Sequence, residues 1–276
     1  MKSETLITAY VGAYPGGRAA PDLSRVPVST DPYVTFAFAL SFARDQDRDG
    51  VFQPVWDQQI TPDLIAALKR DGGRSFFASL GGGDNFPWVR PSNEQAWIQN
   101  AVSSLSSLRN TYHLDGFDIN YEQGLDDSFV PVMSQIIRAM NDYPNFPPRF
   151  STNFTLAPFG ATYNTYQQLY EANTTYIPLF NYQIYAEGIE GQGVQGYLNR
   201  YAQLAQANPY RELNGYREIG LGIASSTSAP RGLQPPDIFT VWDNLHSQGA
   251  ASAFIWCLED SVETNYSIER ELLRRS

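Results

Sequence analysis

The sequence predicts a (β/α)8 TIM barrel, an α/β fold built as a single domain over residues 1–276, and three observations carry that prediction. Strand-like apolar runs alternate with helix-period patterns along the whole chain. No shift in composition, Ser/Gly linker or internal repeat divides the 276 residues, a length ordinary for one such barrel. Finally, the stretch Leu114-Asp115-Gly116-Phe117-Asp118-Ile119-Asn120-Tyr121-Glu122 alternates apolar and polar residues where a core strand should be oily. As a strand it puts Asp118, Asn120 and Glu122 on one face and Phe117, Ile119 and Tyr121 on the other. Burying such a row without partners is costly, so the strand is expected to line a cleft; the plainer alternative is an edge strand with a solvated face.

Taken in order, Leu6 to Val11 reads as the first strand, and Pro15-Gly16-Gly17 opens a polar loop. Tyr33 to Phe42 is a near-continuous apolar run, as expected of a strand buried on both faces. Thr61 and Pro62 are N-cap and first-turn residues for a helix carrying Leu64, Ile65 and Leu68, stopped by Gly72-Gly73. Ser75 to Leu80 returns as a strand ending in Gly81-Gly82-Gly83. Ser92 and Gln95 form a capping box for a helix that buries Trp97, Ile98, Val102 and Leu105. Behind Glu122, Phe129, Val132, Met133, Ile136, Ile137 and Met140 follow the 3.6-residue period, with Asp126 and Asp127 at the positive end and Pro144, Pro147 and Pro148 ending the helix. Strands are then predicted at Phe150 to Pro158, Leu179 to Tyr185, Ile219 to Ala224 and Ala251 to Leu258. Helices fall between them at Tyr163 to Glu171, Val194 to Ala207 and Asp237 to Ser247, with a last one at Ile268 to Arg274. In such a barrel the functional face lies at the C-terminal ends of the strands, which gathers Glu122, Gly81 to Gly83, Tyr185 and Trp256 around one mouth.

Nineteen Lys and Arg against 29 Asp and Glu give a net charge of −10. That balance, with no basic cluster, argues against nucleic acid and anionic lipid as partners and for a small or neutral ligand. Aromatic residues, 14% of the chain, suit the faces of sugars but also the needs of a packed barrel. The single cysteine, Cys257, sits in an apolar run and reads as a small buried hydrophobe. The first residues show no leader pattern, so the chain is expected in the cytosol, or secreted or vacuolar if a leader has been trimmed. Sequons at Asn153, Asn173 and Asn265 are short matches that weigh little, and no run approaches a transmembrane span. Asp45-x-Asp47-x-Asp49-Gly50 looks like the front half of a calcium loop, yet Trp56 stands where its last acidic ligand belongs, so a solvated loop and no metal are expected.

Asp115-Gly116-Phe117-Asp118-Ile119-Asn120-Tyr121-Glu122 resembles the signature of family 18 glycoside hydrolases, Asp-Gly-x-Asp-x-Asp-x-Glu, which ends their fourth barrel strand. Three further motifs follow the family's order: Ser79-Leu80-Gly81-Gly82, Gln183-Ile184-Tyr185 and Phe254-Ile255-Trp256. Phe52 to Asp57, Tyr112 to Gly116 and Ala157 to Phe159 are similar to the plant chitinase-like branch that holds bulb chitinases and narbonin-type globulins. The resemblance implies substrate-assisted, retaining hydrolysis of β-1,4-linked N-acetylglucosamine oligomers or chitin by a monomer without a cofactor, an exception to the usual pair of catalytic carboxylates. It assigns Glu122 as general acid, Tyr185 to hold the substrate's acetamido carbonyl in line, Asp118 as the deep member of the row, and Trp256 as floor. Tyr10, Phe38, Gln183, Gly81 and Gly82 would line the same pocket. Asn120 is the departure, since active members carry an aspartate there. The amide oxygen can still accept the acetamido N–H while its NH2 donates to Asp118, but the charge is lost, which is expected to slow catalysis and lower the Glu122 pKa. A lectin or storage globulin on the same barrel is the alternative, because fold alone does not choose between them.

Overall fold

The computed structural model describes residues 4–14, 21–83, 86–141, 154–207, 216–225 and 232–276. The chain opens with β1 (Thr5–Val11), β2 (Val34–Arg44) and a two-residue antiparallel strand, β3 (Gln53–Pro54). Barrel strands follow at β4 (Arg74–Gly82), β5 (Gly116–Tyr121), β6 (Phe154–Leu156), β7 (Leu179–Tyr182), β8 (Ile219–Ala224) and β9 (Ser252–Trp256). All barrel pairings are parallel between neighbours in the chain, β3 aside, and β1 pairs with both β2 and β9, which closes the ring. The helices are α1 (Pro62–Arg70), α2 (Glu94–Tyr112), α3 (Phe129–Asn141), α4 (Tyr163–Glu171), α5 (Gly193–Ala207), α6 (Asp237–Ser247), the single-turn α7 (Leu258–Ser261) and α8 (Ser267–Arg275). The expected (β/α)8 architecture is therefore the observed one.

Local chemistry explains most boundaries. Leu64 N donates to Thr61 Oγ1 at 3.2 Å to start α1, with Pro62 in the first turn where its missing N–H is not needed. The start of α2 differs from expectation. Asn93 is the N-cap, accepting from Ala96 N at 3.1 Å, so Gln95 is the second helical residue and cannot reach back to close a box with Ser92. All six apolar residues predicted for α3 are buried, whereas Val102 of α2 is only half-buried, and Ala101 and Leu108 take its place in the core. The strand expected from Leu179 to Tyr185 ends at Tyr182, and a 3-10 turn at Ile184–Glu187 carries Tyr185. Likewise β9 ends at Trp256 and α7 begins two residues later. The Pro15-Gly16-Gly17 loop, the prolines after α3, residues 150–153 of the fifth predicted strand and the Asn153 sequon lie outside the described residues.

Side chains alternate between two layers. Phe36, Phe38, Leu40, Phe117, Ile119 and Tyr121 join the helices' apolar faces in one continuous outer core. Inside the ring, Leu6, Ala37, Phe77 and Leu179 fill the lower barrel. Asn173 is 2% exposed and donates to Ser134 Oγ and Leu169 O, so its sequon is spent on packing α4 against α3. Asp45 is buried too, accepting from Trp97 Nε1 at 2.6 Å and Asp49 N at 3.0 Å; the loop expected to be solvated is stapled by this carboxylate to α2.

Two buried carboxyls, Glu259 and Glu269, have pKa values raised by burial. Glu269 is fully buried, and the Ser261 hydroxyl offsets the effect of burial only in part. Because these folded-state values lie above the unfolded ones, the stability they contribute is present below the unfolded carboxyl range and is lost as pH rises through the folded values. Glu269→Gln is therefore expected to raise the melting temperature near pH 8 by roughly 2–5 °C and to flatten its pH dependence. Melting curves of both proteins from about pH 5 to about pH 8 check this, and a Gln variant that melts lower at pH 8 refutes it.

Candidate active site

The deepest polar group of the barrel is Asp118, 1% exposed on the interior face of β5. Its Oδ2 accepts from Tyr10 Oη and Ser79 Oγ, both at 2.8 Å, and its Oδ1 from Thr155 Oγ1 at 2.7 Å and Asn181 Nδ2 at 3.4 Å. These donors come from β1, β4, β6 and β7, so one carboxylate ties four strands to β5. Burial pushes its pKa up while the four hydrogen bonds pull it down. Burial, and then Asp118, raises the Tyr10 phenol far above its ordinary value, so it remains a donor.

Asn120 follows on the same face, 2% exposed, and its Oδ1 accepts from Gln183 Nε2 at 3.1 Å. Gln183 Nε2 also donates to Ala157 O at 2.8 Å and stands 3.4 Å from Glu122 Oε1, while Gln183 Oε1 accepts from Tyr185 Oη at 3.2 Å. One amide therefore links Asn120, Glu122 and Tyr185. Tyr185, like Tyr10, is kept neutral by burial first and by Glu122 next. Glu122 stands just past β5 at the rim, half-buried; Tyr166 Oη of α4 donates to Tyr121 O at 3.0 Å and fixes the backbone before it. Gly83 leaves room for its carboxylate, since a Cβ there would stand 2.7 Å from Glu122 Oε2.

Trp256 at the end of β9 is half-buried against Tyr10, Phe42 and Tyr14, with ring centroids 5.5, 6.0 and 6.3 Å away. Glu259 of α7 braces this corner by accepting from Gly12 N at the end of β1. Gly81 and Gly82 lie under the mouth in the left-handed region, at φ +91° and +89°, pressed against the rings of Tyr121 and Phe42, which admit no side chain there.

Phe38 needs correction. It stacks on Phe76 at 5.0 Å in the outer core beneath the helices and does not reach the cleft. The strand's contribution to the aromatic cluster is Phe42, which sequence reasoning passed over. Phe38 and Phe42 share parity, but the pairing of β2 with β4 shifts between Ser41 and Ala43, and this bulge turns Phe42 to the interior side. The available signal was position: Phe42 closes the apolar run at the functional end of the strand. The expectation that Asn120 donates to Asp118 also fails, because Asp118 is filled by its four other donors and no such bond forms among the described residues. Thr155 and Asn181 were missed as well, each lying within an otherwise ordinary strand.

Along its length the chain is 29% identical to Chitinase 1 of Tulipa saxatilis subsp. bakeri over 273 residues, 92% of this chain and 81% of the tulip protein. Its fold superposes on the catalytic domain of a family GH18 chitinase from the fern Peteris ryukyuensis with a TM-score of 0.83, at 26% identity and covering 98% and 100% of the two chains. It is a chitinase-like barrel that resembles those of glycoside hydrolase family 18. The family 18 chitinase from Crocus vernus gives a TM-score of 0.84 at 25% identity, with 98% of each chain covered. A stretch of 100 residues, 32% of this chain and 35% of the other, is 36% identical to the RuBisCO-associated protein of Glycine max. No protein-family model matches the chain. In this chitinase-like barrel the Asp118–Asn120–Glu122 row opens at the C-terminal face, as expected of a barrel's functional end. A cavity of about 740 Å³ lies at the opposite end, where Lys69 pairs with Asp115 at 2.6 Å before β5; that face usually serves stability.

Proposed function

We propose that the cleft binds β-1,4-linked N-acetylglucosamine oligomers and that the protein cleaves them slowly, as a substrate-assisted retaining hydrolase short of one charge. The observation that supports this reading is Glu122 at the rim of the barrel, hydrogen-bonded through Gln183 to Asn120 and Tyr185 beside the Trp256 aromatic cluster. Glu122 protonates the leaving glycosidic oxygen. The substrate's acetamido carbonyl attacks the anomeric carbon, and water then opens the oxazolinium ion. Asn120 supplies no negative charge to that ion, which is why the reaction is slow. The same substitution favours a second reading, in which the barrel binds sugar without cleaving it, as a lectin or a storage globulin.

Incubation of the protein with a chitin tetramer for a day, with product analysis beside calorimetry, separates these readings. Slow cleavage that falls by about a hundredfold or more in Glu122→Gln supports the hydrolase. Binding without cleavage moves the assignment to a lectin, and absence of binding removes the sugar cleft altogether.

A further inference from the structure

We propose that the cavity at the N-terminal end of the barrel binds a phosphate group, free or carried on a small molecule, through Lys69, Arg70 and Arg109. The cavity measures about 740 Å³, within the range of small-molecule sites, and lies between the last turns of α1 and α2. Lys69 and Arg70 close α1 and Arg109 closes α2, so the basic cluster exists only once the two helices have packed. Asp115 is the one carboxylate among the lining residues, and it is already occupied. Its Oδ1 accepts from Lys69 Nζ at 2.6 Å and its Oδ2 from Phe76 N at 2.8 Å.

Cations in a last helical turn ordinarily face the terminal carbonyls. Here those carbonyls have other donors. Ala67 O and Lys69 O accept from Asp71 N and Gly72 N, Arg109 O accepts from Leu114 N at 3.0 Å, and His113 O accepts from Lys69 Nζ at 2.7 Å. With the acceptors spent, donors remain. The Lys69 ammonium has a third N–H, the Arg70 guanidinium and the His113 ring bond to no described residue, and Asn110 adds an amide to the same wall. Three cations against the Asp115 carboxylate leave an excess of two positive charges, from which the two helix ends subtract about half a charge each. The surplus stands out in a chain whose net charge is −10. A phosphate group fits this inventory, because its exposed oxygens all accept, it carries about 1.5 to 2 negative charges near neutral pH, and it takes guanidinium forks two bonds at a time. The donors arrive from α1, from α2 and from the turn after it, a spread that a tetrahedral group meets and a planar carboxylate meets only in part.

The chain's two histidines supply a local probe that needs no activity. His113 lines the cavity, whereas His246 stacks on Trp242 within α6. Titration of the full chain with inorganic phosphate, at fixed pH and ionic strength, is expected to move the imidazole proton resonances of His113 with half-saturation at about 1 mM or below and to leave those of His246 in place. Replacing both arginines, Arg70→Gln with Arg109→Gln, is expected to raise the half-saturation point by about tenfold or more. Glycerol phosphate and glycerol separate the sources. Tighter binding of glycerol phosphate than of inorganic phosphate assigns a carried phosphate, equal binding assigns the free ion, and glycerol alone is expected to move neither histidine. A His113 shift that never saturates, that His246 shares, that glycerol reproduces or that survives unchanged in the double variant overturns the proposal. None of these outcomes bears on the sugar cleft at the other end of the barrel.

Discussion

Asn120→Asp is expected to accelerate cleavage of an N-acetylglucosamine tetramer by about a hundredfold to a thousandfold, the usual worth of one preorganised electrostatic partner in a site shielded from water. The site is already assembled around the missing charge. Glu122, Gln183, Tyr185 and Asn120 lie within one hydrogen-bonded group, and Asn120 is 2% exposed, so a carboxylate there acts on the oxazolinium ion with little screening. The new carboxylate keeps the bond from Gln183 Nε2 and turns its other oxygen toward the acetamido N–H. Single-turnover rates measured on both proteins at saturating tetramer separate chemistry from binding. A gain confined to affinity, with an unchanged rate at saturation, would place the fault elsewhere in the cleft.

Asp118→Ala should be the most destabilising single change at the site, costing on the order of 3–5 kcal/mol. The removed carboxylate leaves the hydroxyls of Tyr10, Ser79 and Thr155 and the amide of Asn181 without their acceptor, in a barrel interior where each unmet donor is expensive. Those donors come from four strands, so the loss is felt around most of the ring. Asp118→Asn keeps one acceptor oxygen for Thr155 and Asn181, and the Tyr10 and Ser79 hydroxyls can reverse to accept from the new NH2, so its cost should be about 1–2 kcal/mol. Urea unfolding of the three proteins ranks them directly. An Ala variant as stable as the Asn variant would mean that water fills the vacated site and that Asp118 does not hold the strands together.

The row that marks the site was legible because alternation is a local property. Phe117, Ile119 and Tyr121 had to pack outward once the segment formed a strand, and Asp118 and Asn120 therefore had to face the barrel interior. The helix boundaries at Thr61 and in α4 and α6 were legible for the same reason, since caps and apolar periods act within a few residues. What failed were features that depend on two distant segments at once. Phe42 enters the aromatic cluster because β2 slips against β4 between Ser41 and Ala43, and the parity of β2 on its own names Phe38 instead. Asp45 left the solvent because Trp97, 52 residues away, needed an acceptor. By itself the sequence determined the barrel, the face on which Asp118, Asn120 and Glu122 would lie, and the end of the strands where they would open. Only the tertiary structure decided which atom of Asn120 faces Gln183, because a side-chain amide takes its orientation from its partner, and that partner is 63 residues away and held by the carbonyl of Ala157.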